Sequence, residues 1–226
     1  MDPFPIPTAP GAAVVFDCDG LLVTTQGAWD RAYAALAARY GHVLSRSDRR
    51  AMVGLQLAPL GEHLSELLKQ PGRALGCELY DLVQTNLGQG FTPMPGAVEL
   101  VDALVGSRPL AVASNTPSSI VCSYLKDAFD LNAFDAIVGS DCAAPKPAPD
   151  IYLRSCELIG VSPSEAVALE DSVVGANAAR SAGLYLIGVP SQADMQFPCD
   201  LHATALHDPR LWNALGILKP NTRRSA

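Results

Sequence analysis

Positive charge is scarce in this chain: 226 residues carry 16 Lys and Arg against 23 Asp and Glu, for a formal net charge of −7 at pH 7. The basic stripe that tracks a nucleic-acid backbone is missing, which argues against DNA or RNA as partner. The six cysteines, at 18, 77, 122, 142, 156 and 199, include no C-x-x-C pair. They are therefore read as reduced thiols, not a disulfide framework. Four histidines form neither H-x-H nor H-E-x-x-H, so a zinc site has no support. Met1-Asp2-Pro3-Phe4-Pro5 lacks the basic and apolar regions of a signal peptide, and no apolar run approaches a membrane span. A cytoplasmic protein with no membrane partner is expected. Oligomeric state is not legible, and a monomer is compatible with the pattern.

Apolar runs are short, and their order is informative. Ala12 to Phe16 reads as a strand buried on both faces. From 26 to 90 the periodicity is helical: Trp29, Tyr33, Leu36 and Tyr40 form one stripe, Leu60, Leu64, Leu67 and Leu68 another, and Ala74 to Leu87 a further helix. A small bundle of about four helices accounts for these stripes. From Pro95 onward, helices alternate with strands at 110–113, 136–138, 166–169 and 184–189, with a last weak strand at 201–205. The expected fold is α/β: a doubly wound, Rossmann-like parallel sheet in residues 1–25 and 91–226, with a small helical domain, 26–90, inserted after the first strand. Gly-, Thr- and Pro-rich segments near 21–27 and 89–96 are read as the linkers between the two.

In such sheets the ligand sits beyond the carboxyl ends of the strands. The first strand ends in Asp17-Cys18-Asp19-Gly20, and strand alternation sends Asp17 and Asp19 the same way. Two carboxylates this close repel unless a cation lies between them, which points to a hard divalent metal with oxygen ligands. The strand at 110–113 leads into Ser114-Asn115-Thr116 before Pro117, a hydroxyl and free amides suited to phosphate oxygens. Lys146 stands in Pro145-Lys146-Pro147, and the strand at 166–169 leads into Glu170-Asp171-Ser172. Singly, each is an ordinary turn or helix cap. Together, always after a strand, they supply nucleophile, proton donor, phosphate clamp and metal cage.

The stretches Phe16-Asp17-Cys18-Asp19-Gly20, Met94-Pro95-Gly96, Ser114-Asn115-Thr116, Lys146 to Tyr152 and Leu169 to Gly175 resemble the haloacid dehalogenase-like superfamily of Mg-dependent phosphotransferases. The insertion resembles the α-helical cap of the branch holding β-phosphoglucomutase and phosphoglycolate phosphatase. The resemblance implies that Asp17 attacks phosphorus to form an aspartyl phosphate, and that Asp19 acts as general acid and base. It also implies Mg²⁺ held by Asp17, Asp19, Asp171 and Glu170, and phosphate held by Ser114, Asn115 and Lys146. The expected activity is hydrolysis of a small phosphorylated metabolite such as a sugar phosphate. A phosphomutase is the alternative, and a non-catalytic binding protein on the same fold the third reading.

The chain departs from that pattern in the inserted domain. Thr24 and Thr25 stand where many relatives carry an acidic residue, and Trp29 aligns with a histidine that assists the mutases' acid/base residue. That points away from a mutase. Val53 to Leu60, at the expected specificity loop, has no cation and only Gln56 as a polar side chain, which favours a neutral leaving group over a bisphosphate. Trp29 and Gln56 are the candidate specificity residues.

Overall fold

The computed structural model describes residues 12–24, 26–52, 57–87, 91–190 and 196–217. The chain divides into two compact units, Met1–Thr24 with Phe91–Ala226, and Thr25–Gly90. In chain order the elements are β1 (Ala13–Phe16), β2 (Val23–Thr24), α1 (Gln26–Arg39), α2 (Arg46–Met52), α3 (Leu57–Leu68), α4 (Gly72–Leu87), β3 (Thr92–Pro93), α5 (Ala97–Leu104) and β4 (Leu110–Ala113). They continue with α6 (Ser118–Leu125), β5 (Ala136–Val138), α7 (Asp150–Leu158), β6 (Ala166–Glu170), α8 (Val173–Ala182), β7 (Tyr185–Gly188), β8 (Leu201–His202) and α9 (Pro209–Ala214).

The first unit is a six-stranded sheet in the order β5-β4-β1-β6-β7-β8. Every pairing in it is parallel. The chain builds outward from β1 through β4 to β5, then returns to the other side of β1 with β6. The strand order therefore reverses beside β1, and in such sheets the carboxyl ends of the two strands at the reversal, here β1 and β6, are where a ligand binds. All residues of β1, β4 and β6 are buried, which is why these strands read as unbroken apolar runs without alternation. Helix α8 covers the sheet with Gly175, Ala176, Ala178, Ala179 and Ala182, small side chains that allow close approach. Helix α7 buries Ile151, Tyr152, Ser155 and Cys156 on one face.

The strands read from Ala12 and at 184–189 are each trimmed, to Ala13–Phe16 and Tyr185–Gly188, and three further details differ from the sequence reading. The segments read as linkers contain an antiparallel pair, Val23↔Pro93 and Thr24↔Thr92. Strand β6 runs one residue further, since Glu170 still pairs with Gly188. The last strand stops at His202, because Thr204 N donates instead to Asp208 Oδ2 at 3.0 Å.

Asp208 closes this end of the chain. Its buried carboxylate caps α9 by accepting from Arg210 N at 2.9 Å, and it also accepts from Thr204 Oγ1 and the Arg210 guanidinium. Hydrogen bonds from Arg210 hold its pKa well below the ordinary carboxylate range. Such a depressed group stabilises the fold above its unfolded pKa, and the benefit fades as pH falls towards the folded one. Asp208→Ala is expected to cost about 1–2 kcal/mol at neutral pH, with the deficit shrinking below about pH 4. Urea unfolding of both proteins at neutral and acid pH checks this.

The second unit is all helical among the described residues, with α4 packed against both α1 and α3. Gly61 and Gly72 bring α3 and α4 together closely: a β-carbon on Gly72 would lie 2.5 Å from the Gly61 carbonyl.

Candidate active site

The residues that follow the central strands converge in the first unit. Asp17 continues the ladder beyond β1, its N–H donating to the Leu169 carbonyl at 3.0 Å, and Ser114 N does the same to Val138 O. The chain then turns sharply. Leu22 and Val23 donate to the Cys18 carbonyl, and Gly20 has φ 97°, a left-handed conformation suited to glycine. A β-carbon at Gly20 would run into the Asp171 carboxylate, so a bare backbone is needed to let β1 and β6 end side by side.

Lys146 is at the centre. Its buried Nζ lies 2.6 Å from Asp17 Oδ1 and 2.5 Å from Glu170 Oε1. Carboxylate oxygens of Asp17, Glu170 and Asp171, all three residues buried, lie within 4.8 Å of one another. Burial pushes the Asp17 carboxyl well above its usual range; Lys146 opposes this, and the charges of Glu170 and Asp171 add to it. Burial alone would lower the Lys146 ammonium, but Asp17 and Glu170 outweigh it and hold it well above its ordinary value. Lys146 thus pairs with two of the three buried carboxylates, Asp17 and Glu170, with the third, Asp171, close beside them. Asp17 Oδ2, moreover, is buried without a hydrogen-bond partner among the described residues. An orphaned anionic oxygen beside further carboxylate oxygens is a donor set that fits a hard divalent cation.

Asp19 is held on the other side. Its Oδ2 accepts from Ser114 Oγ at 3.1 Å and from Thr116 Oγ1 at 3.0 Å, and Thr116 N in turn donates to Ser114 Oγ. The Asn115 side chain reaches across 31 residues to clamp the Lys146 backbone: Lys146 N donates to Oδ1 at 2.7 Å and Nδ2 donates to the Lys146 carbonyl at 3.1 Å. Glu170 is saturated, since Oε1 accepts from Lys146 and from the Tyr152 hydroxyl at 2.7 Å, while Oε2 accepts from Ser172 N and Oγ. Cys18, fully buried between the aspartates, has its thiol pushed well up by burial and then by Asp19 and Asp17, so it stays protonated.

The structure thus brings Asp17, Asp19, Ser114, Asn115, Lys146, Glu170 and Asp171 to one strand-end cluster. Trp29 lies in the second unit, half-buried with its ring 5.8 Å from that of Tyr33. Gln56 lies outside the described residues. Two members escaped the sequence reading. Thr116 was visible as the end of the Ser114-Asn115-Thr116 run, and Tyr152 as the end of the Lys146 motif, but neither showed what its hydroxyl would meet.

The chain belongs to the haloacid dehalogenase-like hydrolase family, which matches residues 12–183. Over 184 residues it is 31% identical to fructose-1-phosphate phosphatase YqaB of Escherichia coli, covering 79% of this chain and 96% of the relative. The structure of a CbbY mutant from Rhodobacter sphaeroides in complex with xylulose-(1,5)bisphosphate superposes with a TM-score of 0.68 at 26% identity, covering 86% of this chain and 94% of that one. β-Phosphoglucomutase from Clostridium difficile shares the fold at a TM-score of 0.72 and 18% identity, over 91% and 97% of the two chains. The chain is a phosphatase of this family.

Proposed function

We propose that the chain is a Mg²⁺-dependent phosphatase of a small phosphorylated metabolite, a sugar phosphate or similar, working through an aspartyl phosphate on Asp17. The observation that carries this reading is the buried cluster in which Asp17 Oδ1 is tied to Lys146 while Oδ2 has no hydrogen-bond partner among the described residues. The sugar-phosphate class is supported by the relatives, one a fructose-1-phosphate phosphatase and one bound to a sugar bisphosphate. The first unit is read as the catalytic core and Thr25–Gly90 as a helical cap. All six cysteines are unpaired, which suits a reducing cytoplasm, and no helix of the described residues is long and apolar enough to cross a membrane.

In the first step one carboxylate oxygen of Asp17 forms a bond to phosphorus as the ester P–O bond breaks, and Asp19 gives its proton to the departing alkoxide. Ser114 and Thr116 hold Asp19 for this transfer. In the second step Asp19 takes a proton from water, whose oxygen attacks phosphorus, and inorganic phosphate leaves with Asp17 restored. Lys146, with the hydroxyl of Ser114 and the amide of Asn115, supplies positive charge and donors to the transferring oxygens. Asp17, Asp171 and the backbone carbonyl of Asp19 would hold Mg²⁺, which when bound offsets repulsion between the carboxylate and the phosphoryl group. Glu170 carries four hydrogen bonds already, so its place in this scheme is beside Lys146 and not as a direct ligand.

Phosphate release from a panel of phosphorylated sugars, polyols, glycolate and nucleotides tests the reading. Turnover is expected on sugar phosphates with Mg²⁺ and is expected to fall at least about a hundredfold in EDTA. Metal-independent turnover would refute the cofactor assignment. Isomerisation of a sugar phosphate without phosphate release would instead establish a mutase.

A further inference from the structure

We propose that Tyr152 is a positioning residue that keeps Lys146 on Asp17 by sharing the charge of Glu170. The inference rests on the reading of Lys146 as the cation for Asp17 and the transferring oxygens. Tyr152 lies in α7, six residues after Lys146, and is fully buried. Its hydroxyl donates to Glu170 Oε1 at 2.7 Å, the same oxygen that Lys146 approaches, and the centre of its ring lies 4.9 Å from Lys146 Nζ. One side chain therefore touches both the ammonium and the carboxylate that competes with Asp17 for it.

A buried ammonium between two carboxylates moves towards the one whose charge is less compensated. Glu170 is fully enclosed, so without other donors it would draw Lys146 away from the half of the site where chemistry occurs. Ser172 satisfies Oε2 through its N–H and hydroxyl, and Tyr152 supplies the second donor to Oε1. The ring face adds attraction for the ammonium on the same side, which fixes Lys146 laterally without removing its charge. Burial, and then Glu170, push the phenol far above its ordinary pKa, so the hydroxyl remains a donor. A phenylalanine here would keep the packing and the ring face and lose only the donor.

Three measurements separate this role from that of an ordinary core tyrosine. Tyr152→Phe is expected to lower kcat about tenfold, the worth of one hydrogen bond to a buried charge, with KM within about twofold. In a Glu170→Gln background the same substitution is expected to change kcat by less than about twofold, because no charge remains to be shared. Mg²⁺ titrated calorimetrically into the substrate-free variant is expected to bind about threefold more tightly than to the parent, since less-compensated Glu170 and Asp17 deepen the negative potential at the cluster. Slower turnover with tighter metal binding is a combination that loosened packing does not produce. Equal losses in the two backgrounds, or Mg²⁺ binding unchanged or weaker, would overturn the proposal. Absence of phosphate release by the unsubstituted enzyme would refute the phosphatase mechanism instead, and the calorimetric comparison would still decide the role of Tyr152.

Discussion

Replacing Asp17 by Asn is expected to reduce phosphate release by roughly four orders of magnitude or more, the scale seen when a nucleophile is removed from an otherwise intact site. The substitution is nearly isosteric, so the strand end and its neighbours keep their shape. An amide is a poor nucleophile, and the covalent route that divides one hard displacement into two is lost. Stability should move little or upward. Asp17 lies beside two further buried carboxylates, and burial with their charges already holds it well above the ordinary carboxylate range, so neutralising it relieves repulsion. Thermal unfolding beside a steady-state assay with saturating Mg²⁺ checks both halves: a melting temperature at or above the parent's, with activity at background. A variant retaining a tenth of the activity would remove Asp17 as nucleophile.

Lys146→Met should damage both stability and turnover. The ammonium lies 2.6 Å from Asp17 and 2.5 Å from Glu170, and its side chain is only 4% exposed. Removing one partner of a buried pair leaves uncompensated charge, at a cost of about 3–5 kcal/mol in metal-free protein at neutral pH. Turnover is expected to drop about 10²–10³-fold, as when a donor to the developing charge is deleted elsewhere. The sign of the pH dependence follows from the orphaned carboxylates. Burial already raises the folded pKa of Asp17, and without Lys146 nothing opposes that rise, so protonation favours the folded state at low pH and that benefit is lost as pH rises. The deficit relative to the parent should therefore shrink between about pH 7.5 and pH 5. Urea unfolding in EDTA at the two pH values measures it. A deficit that grows on acidification would contradict the account of Lys146 as counterion to Asp17 and Glu170.

The strand ends were the most legible part of the chain, because buried parallel strands are apolar runs and their polar successors stand out. Leu110 to Ala113 followed by Ser114 and Ala166 to Leu169 followed by Glu170 needed no tertiary information. What the side chains do there was less legible. Glu170 beside Asp171 reads as a pair of acids, and only tertiary contacts show Glu170 enclosed by Lys146, Tyr152 and Ser172. Those partners lie 24, 18 and 2 positions away, and no local periodicity encodes the first two. Likewise, Thr116 reads as a turn residue until the fold brings Asp19, 97 positions earlier, within 3.0 Å of its hydroxyl. In the helical unit, Trp29 and Tyr33 at helical spacing were legible as neighbours, and their rings lie 5.8 Å apart, tilted by 39°. The identity of the substrate is not encoded in such spacing, since recognition depends on which side chains face the leaving group.

Covalent capture on Asp17 is the most direct test of the whole account. Enzyme turning over a sugar phosphate with Mg²⁺ can be quenched in acid, digested and read by mass spectrometry. A phosphoryl group on Asp17, removed by hydroxylamine and absent from Asp17→Asn, is the expected result. A phosphoryl group on any other residue, or turnover that persists in Asp17→Asn with no adduct on the parent, would contradict it.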